Sequence, residues 1–254
     1  MGKKRFSLCM ALVLCLGLLP VTALAAAPQT LYVGDYQITN GSAITYLKAG
    51  STAGSLVAGS ENDWTVKYEP SIATLTLNGA TIQGGTSTGS VPYGAGIYAQ
   101  CNSGESVSLT IELIGENTIT GYYGIYVNAE MSANSYGTDA SLNITGNGSL
   151  IVTGTNSHGL FVKSGTGNAS LNIKNVAVTS STNGDYAAGV YVMSSMYATN
   201  SPKISLSVDG GSLTASGTGS NDGILFYVGL SQATGATTRL TVSENAIVDA
   251  KNGG

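Results

Sequence analysis

Six leucines recur along this chain at nearly one interval, and that interval restricts the fold more than any other feature. They are Leu75, Leu109, Leu142, Leu171, Leu206 and Leu240, at steps of 34, 33, 29, 35 and 34 residues, and each is followed two positions later by Leu77, Ile111, Ile144, Ile173, Val208 or Val242. A fixed interval of this size marks a solenoid, whose repeats are each too small to bury an apolar face alone and do so only against their neighbours. Two further runs keep the same interval. One opens at Gly96, Gly124, Gly159, Gly189 and Gly223, as in Gly124-Ile125-Tyr126-Val127, and the other supplies Ile82, Ile119, Leu150 with Val152, Val178, Leu213 and Ile247.

Within each run apolar residues alternate with polar ones, so side chains at i and i+2 share a face, as in a strand. No repeat keeps a helical apolar spacing over ten residues, and Gly, Ser, Thr and Asn are poor helix-interior residues. Three short strands per repeat become stable only when the next coil stacks on them at roughly 4.8 Å and pairs the backbone. The expected fold is all-β, a right-handed parallel β-helix of about six coils spanning 71–254, its hand set by the chirality of parallel crossovers. Leu75, Leu77, Leu109, Ile111, Leu142, Ile144, Leu171, Ile173, Leu206, Val208, Leu240 and Val242 are its predicted interior. Turns are expected after the second run at Asn78-Gly79, Gly115-Glu116-Asn117, Gly146-Asn147-Gly148, Asp209-Gly210-Gly211 and Glu244-Asn245.

Charged residues make up only 9% of the 254, against roughly 25% in ordinary soluble domains. Stacked Thr, Ser and Asn replace charge as the solvent face. Residues 1–25 read as a secretory signal, with Lys3-Lys4-Arg5 as its positive end, Leu8 to Leu19 as its apolar stretch and Ala23-Leu24-Ala25 as its cleavage site. The apolar stretch is shorter than the ~20 residues of a membrane span, and Leu14 before Cys15 does not suit a lipoprotein signal. A secreted protein starting near Ala26, without a membrane span, is therefore expected. Removing Lys3, Lys4 and Arg5 from ten basic residues leaves seven against fourteen acidic, a net charge of −7, which gives no basic footprint for nucleic acid.

Cys9 and Cys15 leave with the leader, so the remaining Cys101 cannot form an internal disulfide. Its polar loop, Gln100-Cys101-Asn102-Ser103-Gly104, admits an incidental thiol, an intermolecular link or a nucleophile, and the one His of the chain, His158, lies a repeat away. Residues 26–70 fall outside the repeat. Leu31-Tyr32-Val33 and Tyr36-Gln37-Ile38 alternate as strands, a turn is expected at Asn40-Gly41, and an N-terminal cap is needed because an open coil exposes apolar interior and unpaired edges. Trp64 is the predicted plug. At the other end the sequence stops just after a third run, so continuation in a longer protein, or an end-to-end or C-terminal domain contact, is expected to close the last coil.

Thr74-Leu75-Thr76-Leu77-Asn78-Gly79-Ala80-Thr81-Ile82, Gly124-Ile125-Tyr126-Val127 and Leu142-Asn143-Ile144-Thr145-Gly146-Asn147-Gly148-Ser149-Leu150 resemble the repeats of secreted bacterial parallel β-helix proteins, labelled carbohydrate-binding or adhesin-like and related in fold to pectate lyases. The resemblance covers 64–254. It implies a coil rather than an activity, and it transfers no site residue.

Polysaccharide lyases on such folds resemble one another in clustering acids around a metal beside a basic residue, because proton abstraction next to a carboxylate requires its charge to be neutralised. Here Lys163, Lys174, Lys203 and Arg239 are scattered. Glu112, Glu116, Asp209 and Glu244 near the turns are the nearest candidates for a hydrolytic pair, with Glu112 and Asp209 at different phases of the run. D-x-D calcium spacing is missing. No catalytic residue, metal or cofactor is expected. With Ile97, Ile125, Leu160, Val190 and Ile224 facing inward, Tyr98, Tyr126, Phe161, Tyr191 and Leu225 form a ladder outside. Either its rings pack on one another under the long loops, or a polysaccharide or host glycan lies along Tyr98, Tyr126, Phe161 and Tyr191 with Asn128, Asn134 and Asn168 supplying hydrogen bonds. The sequence thus supports a non-catalytic cell-surface protein of glycan binding or adhesion, with a structural stalk and a polysaccharide lyase or glycoside hydrolase as alternatives.

Overall fold

In the computed structural model the described residues are 27–38, 41, 43–85, 94–132, 135–136, 138–195, 201–218, 221–229 and 235–252. The expected leader, residues 1–25, Asn40 of the expected turn and Asn134 lie outside them. The chain enters as antiparallel strands. β1 (Thr30–Val33) and β2 (Tyr36–Ile38) form a hairpin, and β3 (Thr45–Ala49), β4 (Leu56–Ala58) and β5 (Val66–Glu69) form an antiparallel set. A 3₁₀ turn, Pro70–Ile72, ends at Ala73 in a left-handed conformation and reverses the chain into β6 (Thr74–Asn78), which is antiparallel to β5.

Among β6 and the strands after it the long-range pairing is parallel. After β7 (Thr81–Gln83) come β8 (Ile97–Gln100), β9 (Val107–Ile114), β10 (Glu116–Gly121) and β11 (Ile125–Asn128). A small antiparallel pair, β12 (Glu130–Ser132) and β13 (Ser135–Tyr136), interrupts the coil before β14 (Ala140–Gly146), β15 (Ser149–Gly154) and β16 (Leu160–Ser164). The later coils are β17 (Ala169–Thr182), β18 (Val190–Ser194), β19 (Lys203–Ser216), β20 (Ile224–Val228), β21 (Thr237–Ser243) and β22 (Ile247–Lys251). β17 and β19 each run through the second and third faces without a break, pairing with β14 and β15, or with β21 and β22, along their two halves. The first face stacks β8, β11, β16, β18 and β20 in parallel, so the parallel β-solenoid has about four complete turns, with β6–β7 before them and β21–β22 after, rather than about six.

Register explains why the leucines recur. Leu109, Leu142, Leu171, Leu206 and Leu240 are direct partners on successive strands. Leu75 pairs instead with Ile111, and Leu77 with Leu113. A two-residue offset keeps every side chain on its own face of the strand, so Leu75 and Leu77 stay buried. The predicted interior from Leu75 to Val208 is buried. Leu240 and Val242, predicted to be buried too, are 48% and 46% exposed, because no described strand stacks on β21 beyond them. The turn between second and third faces holds a left-handed residue in each coil, at Gly79, Gly115, Gly146, Asn175, Gly210 with Gly211, and Glu244 with Asn245. Asn175 is the turn that sequence reading missed.

The plug over the first coil is made by Leu31, Val33, Ile38, Leu47, Val66 and Tyr68, all within the main core. Trp64 is not part of it. Val66 and Tyr68 point inward from β5, whereas Trp64 precedes that strand and stays half-buried, its ring 6.4 Å from Tyr46 with the Lys67 ammonium 5.7 Å from its centroid. Tyr68 carries its hydroxyl into the core without a hydrogen-bond partner among the described residues, and burial raises its pKa to about 12. Cys101 is likewise buried in the core rather than sitting in an open polar loop. Burial pushes its thiol pKa up, against both a nucleophile and an intermolecular disulfide.

The glycine that opens each first run occupies the corner where the coil turns back. A Cβ on Gly124 would meet Val152 Cγ2 at 2.3 Å and the Gly159 carbonyl oxygen at 2.5 Å. Gly124→Ala should lower the unfolding free energy by about 1–3 kcal/mol through overpacking, seen as a reduced Tm, whereas Gly41→Ala, whose Cβ has no neighbour closer than 3.9 Å, should leave Tm unchanged. Removing the orphaned hydroxyl with Tyr68→Phe should raise stability by about 1 kcal/mol, read from the denaturant midpoint.

Candidate functional site

The ladder forms in register. Tyr98, Tyr126, Phe161, Tyr191 and Leu225 are partners on consecutive first-face strands. Ile97, Ile125, Leu160 and Val190 point into the core. Phe161 lies 4.6 Å from Tyr126 at 11° between planes and 5.0 Å from Tyr191 at 4°, while Tyr98 meets Tyr126 edge-on at 5.4 Å and 67°. Offset and edge arrangements at these separations are the favourable ones for aromatic quadrupoles.

Residues from other segments close this ladder. Tyr32 of the cap pairs with Tyr98 across the antiparallel β1–β8 contact and extends the row by one ring. Tyr123, from the corner before β11, packs against Tyr126 at 4.8 Å and Phe161 at 5.7 Å. His158, from the next corner, wedges between Phe161 at 4.8 Å and Tyr191 at 4.5 Å. Tyr98 is 1% exposed and Tyr126 and Phe161 are each 5% exposed. An axial glycan therefore finds no free ring face at Tyr98, Tyr126 or Phe161, and the ladder is not the platform that an exposed row would provide. Burial also raises the Tyr191 pKa to about 12.

The polar residues expected to read such a glycan are engaged in the protein. Asn128 is buried and donates to the Tyr98 hydroxyl at 3.3 Å. Asn168 joins coils, accepting from the Lys203 N–H at 2.8 Å and donating its own N–H to Asp139 at 2.7 Å. Sequence reading missed Tyr32, Tyr123 and His158. The only available signal for the last two was that each directly precedes a repeat-opening glycine.

Burial lowers the His158 pKa to about 4, and its Nδ1 accepts the Ala188 N–H at 2.9 Å. The unfolded chain, with a pKa near 6.5, binds the proton more readily than the folded one. Stability is therefore full above about pH 6.5 and falls as pH drops toward 4, by on the order of 3 kcal/mol. His158→Asn, which can still accept from Ala188, should flatten the dependence of Tm on pH across that window.

Glu112 and Asp209 share one outer column rather than lying at different phases. Glu112 pairs with Thr145, Lys174 pairs with Asp209, and Ile144 with Ile173 links the two halves. Three strand spacings separate them, roughly 14 Å, which exceeds the reach of paired glycosidase carboxylates. Asp209 contacts Lys174 at 3.5 Å and accepts from Ser243 at 2.8 Å. Among the described residues no three His, Cys, Asp or Glu side chains come together in a way that could hold a metal ion.

A second feature lies at the corner between the third and first faces. One cleft of about 340 Å³ is lined by Asp35, Thr52–Ser55 and Gln83–Gly85, and an adjoining one of about 310 Å³ by Gln83–Gly85, Thr120–Tyr122, Thr155 and Asn156. They share Gln83, Gly84 and Gly85. The surface offered is the Asp35 carboxylate, amide, hydroxyl and backbone groups and one half-exposed phenol ring, a set suited to hydrogen bonding and ring contact. No family model, curated protein or solved structure matches the chain.

Proposed function

We propose that the protein works outside the cell as a rigid, non-catalytic solenoid that serves adhesion, a stalk whose coils hold contact surfaces away from the envelope. The closed ladder carries this reading. Six rings and an imidazole from cap, strands and corners are packed together along one face, so aromatic area is used to tie successive coils to one another and to the cap. Separated carboxylates and the engaged His158 favour the non-catalytic reading over a lyase or hydrolase. Secretion rests on the leader-like composition of residues 1–25. The half-exposed core-facing residues of the last coil, Leu240 and Val242, support a contact with further chain or another domain at that end. Glycan binding is the second reading, and the corner clefts favour it.

Phe161→Ala should cost about 3–5 kcal/mol of unfolding free energy, with a double-mutant cycle against Tyr126→Ala showing coupling. A loss below 1 kcal/mol would show that the ladder does not stiffen the stack. Secreted material should begin near Ala26 on N-terminal sequencing. Incubation with pectin, alginate or neutral polysaccharides should release neither unsaturated products nor reducing ends, and turnover abolished by one carboxylate substitution would replace this reading with an enzymatic one.

A further inference from the structure

We propose that the corner joining the third face to the first is a binding site for an extended, uncharged glycan lying parallel to the solenoid axis. The inference rests on the adhesive reading above and adds to it a site, a ligand charge and a direction.

The two clefts share Gln83–Gly85 and so form one trough, leading from the cap loop beside Asp35 past Tyr122 to Asn156. Each has a volume within the range of small-ligand sites, about 300–1,000 Å³. The walls are held without a ligand. Asn156 and Ser157 donate their N–H groups to the Tyr122 carbonyl, Thr155 to Gly121, and Asn183 to Gly154, so binding orders little backbone and loses little entropy. Tyr122 and Tyr123 divide the work of one corner. Tyr123 enters the ladder, while Tyr122 stays half-buried at the trough with its ring 5.3 Å from its neighbour's.

Tyr186 stands on the same corner two coils further along. It is 96% exposed and has a left-handed backbone with φ of 57°. That conformation strains a bulky residue, and a ring so exposed gains almost nothing from packing in return. Tyr122 and Tyr186 belong to corners two strand spacings apart, roughly 9.6 Å, about the length of a disaccharide. Sugar rings present C–H faces that pack on phenol rings, and their hydroxyls match the amides of Gln83, Asn156 and Asn183. The charge of the corner selects among glycans. Residues 84–85, 121–124, 154–159 and 182–188 contain no Lys or Arg, whereas Asp35, Asp185 and Asp222 are exposed along it. Acidic polymers are repelled and neutral ones are not.

Affinity electrophoresis of the purified full chain tests this in native gels containing β-glucan, arabinoxylan, galactomannan or polygalacturonate. At least one neutral polymer should retard the protein and polygalacturonate should not. Tyr122→Ala and Tyr186→Ala should each weaken retardation about tenfold, and Tyr186→Ala should do so with unchanged Tm. Retardation that survives in the double variant would overturn this site while leaving glycan adhesion standing. Equal retardation by polygalacturonate would overturn the neutral class. No retardation in any gel would overturn the proposal, and the ladder's contribution to stability would still decide the stalk reading independently.

Discussion

Stacking of backbone on backbone between coils is the interaction on which the rest of this structure depends. Each strand finds its hydrogen-bond partners in the strand one repeat away, at about 4.8 Å. That contact places Leu109, Leu142, Leu171 and Leu206 in one interior column and Tyr98, Tyr126, Phe161 and Tyr191 in one exterior column. Like residues lie over like residues because the coil length is regular, and a residue type chosen once per repeat becomes a continuous stripe. Polar stripes follow the same rule, as where Asn172 donates to Asn143 at 2.9 Å.

A stripe made this way has two uses, and cover decides between them. Aromatic side chains in register at the coil spacing stack well whether or not solvent reaches them. Here Tyr32, Tyr123 and His158 arrive from the cap and from two corners and close the row, which converts a platform into a seam. The corner works in the opposite sense. Its glycines bring coils too close for a side chain to fill the space, so clefts remain open beside Gly84, Gly85 and Gly121, and the rings at Tyr122 and Tyr186 keep contact with water.

The cap shows how such a stack is ended. Antiparallel β1 and β5 pair with the first coil through β8 and β6, satisfying its strand edges, while Leu31, Leu47, Val66 and Tyr68 fill its apolar opening. Pairing in the opposite direction stops the parallel register from continuing past the cap, and an edge used up in this way cannot recruit another chain. The last coil has no such covering among the described residues, and Leu240 and Val242, in register with the buried Leu206 and Val208, are 48% and 46% exposed there. One residue type at one phase of the repeat is thus interior or surface according to what lies above it.

Alternation of period two and an interval near 34 residues are local properties, so the sequence by itself determined the strands, the parallel coil, the inward set from Leu75 to Val208 and the existence of the ladder. Left-handed turns were legible wherever Gly or Asn-Gly marked them, and missed at Asn175, where an ordinary-looking Lys-Asn takes the same conformation. Only tertiary structure decided what the coils bring together from segments with no fixed phase. The burial of the ladder under Tyr123 and His158, the position of Trp64 outside the plug, the enclosure of Cys101, and the single column shared by Glu112 and Asp209 all depend on register and cover across coils. Neither can be read from a repeat taken alone, because a two-residue offset such as Leu75 opposite Ile111 leaves the apolar pattern unchanged while moving every neighbour.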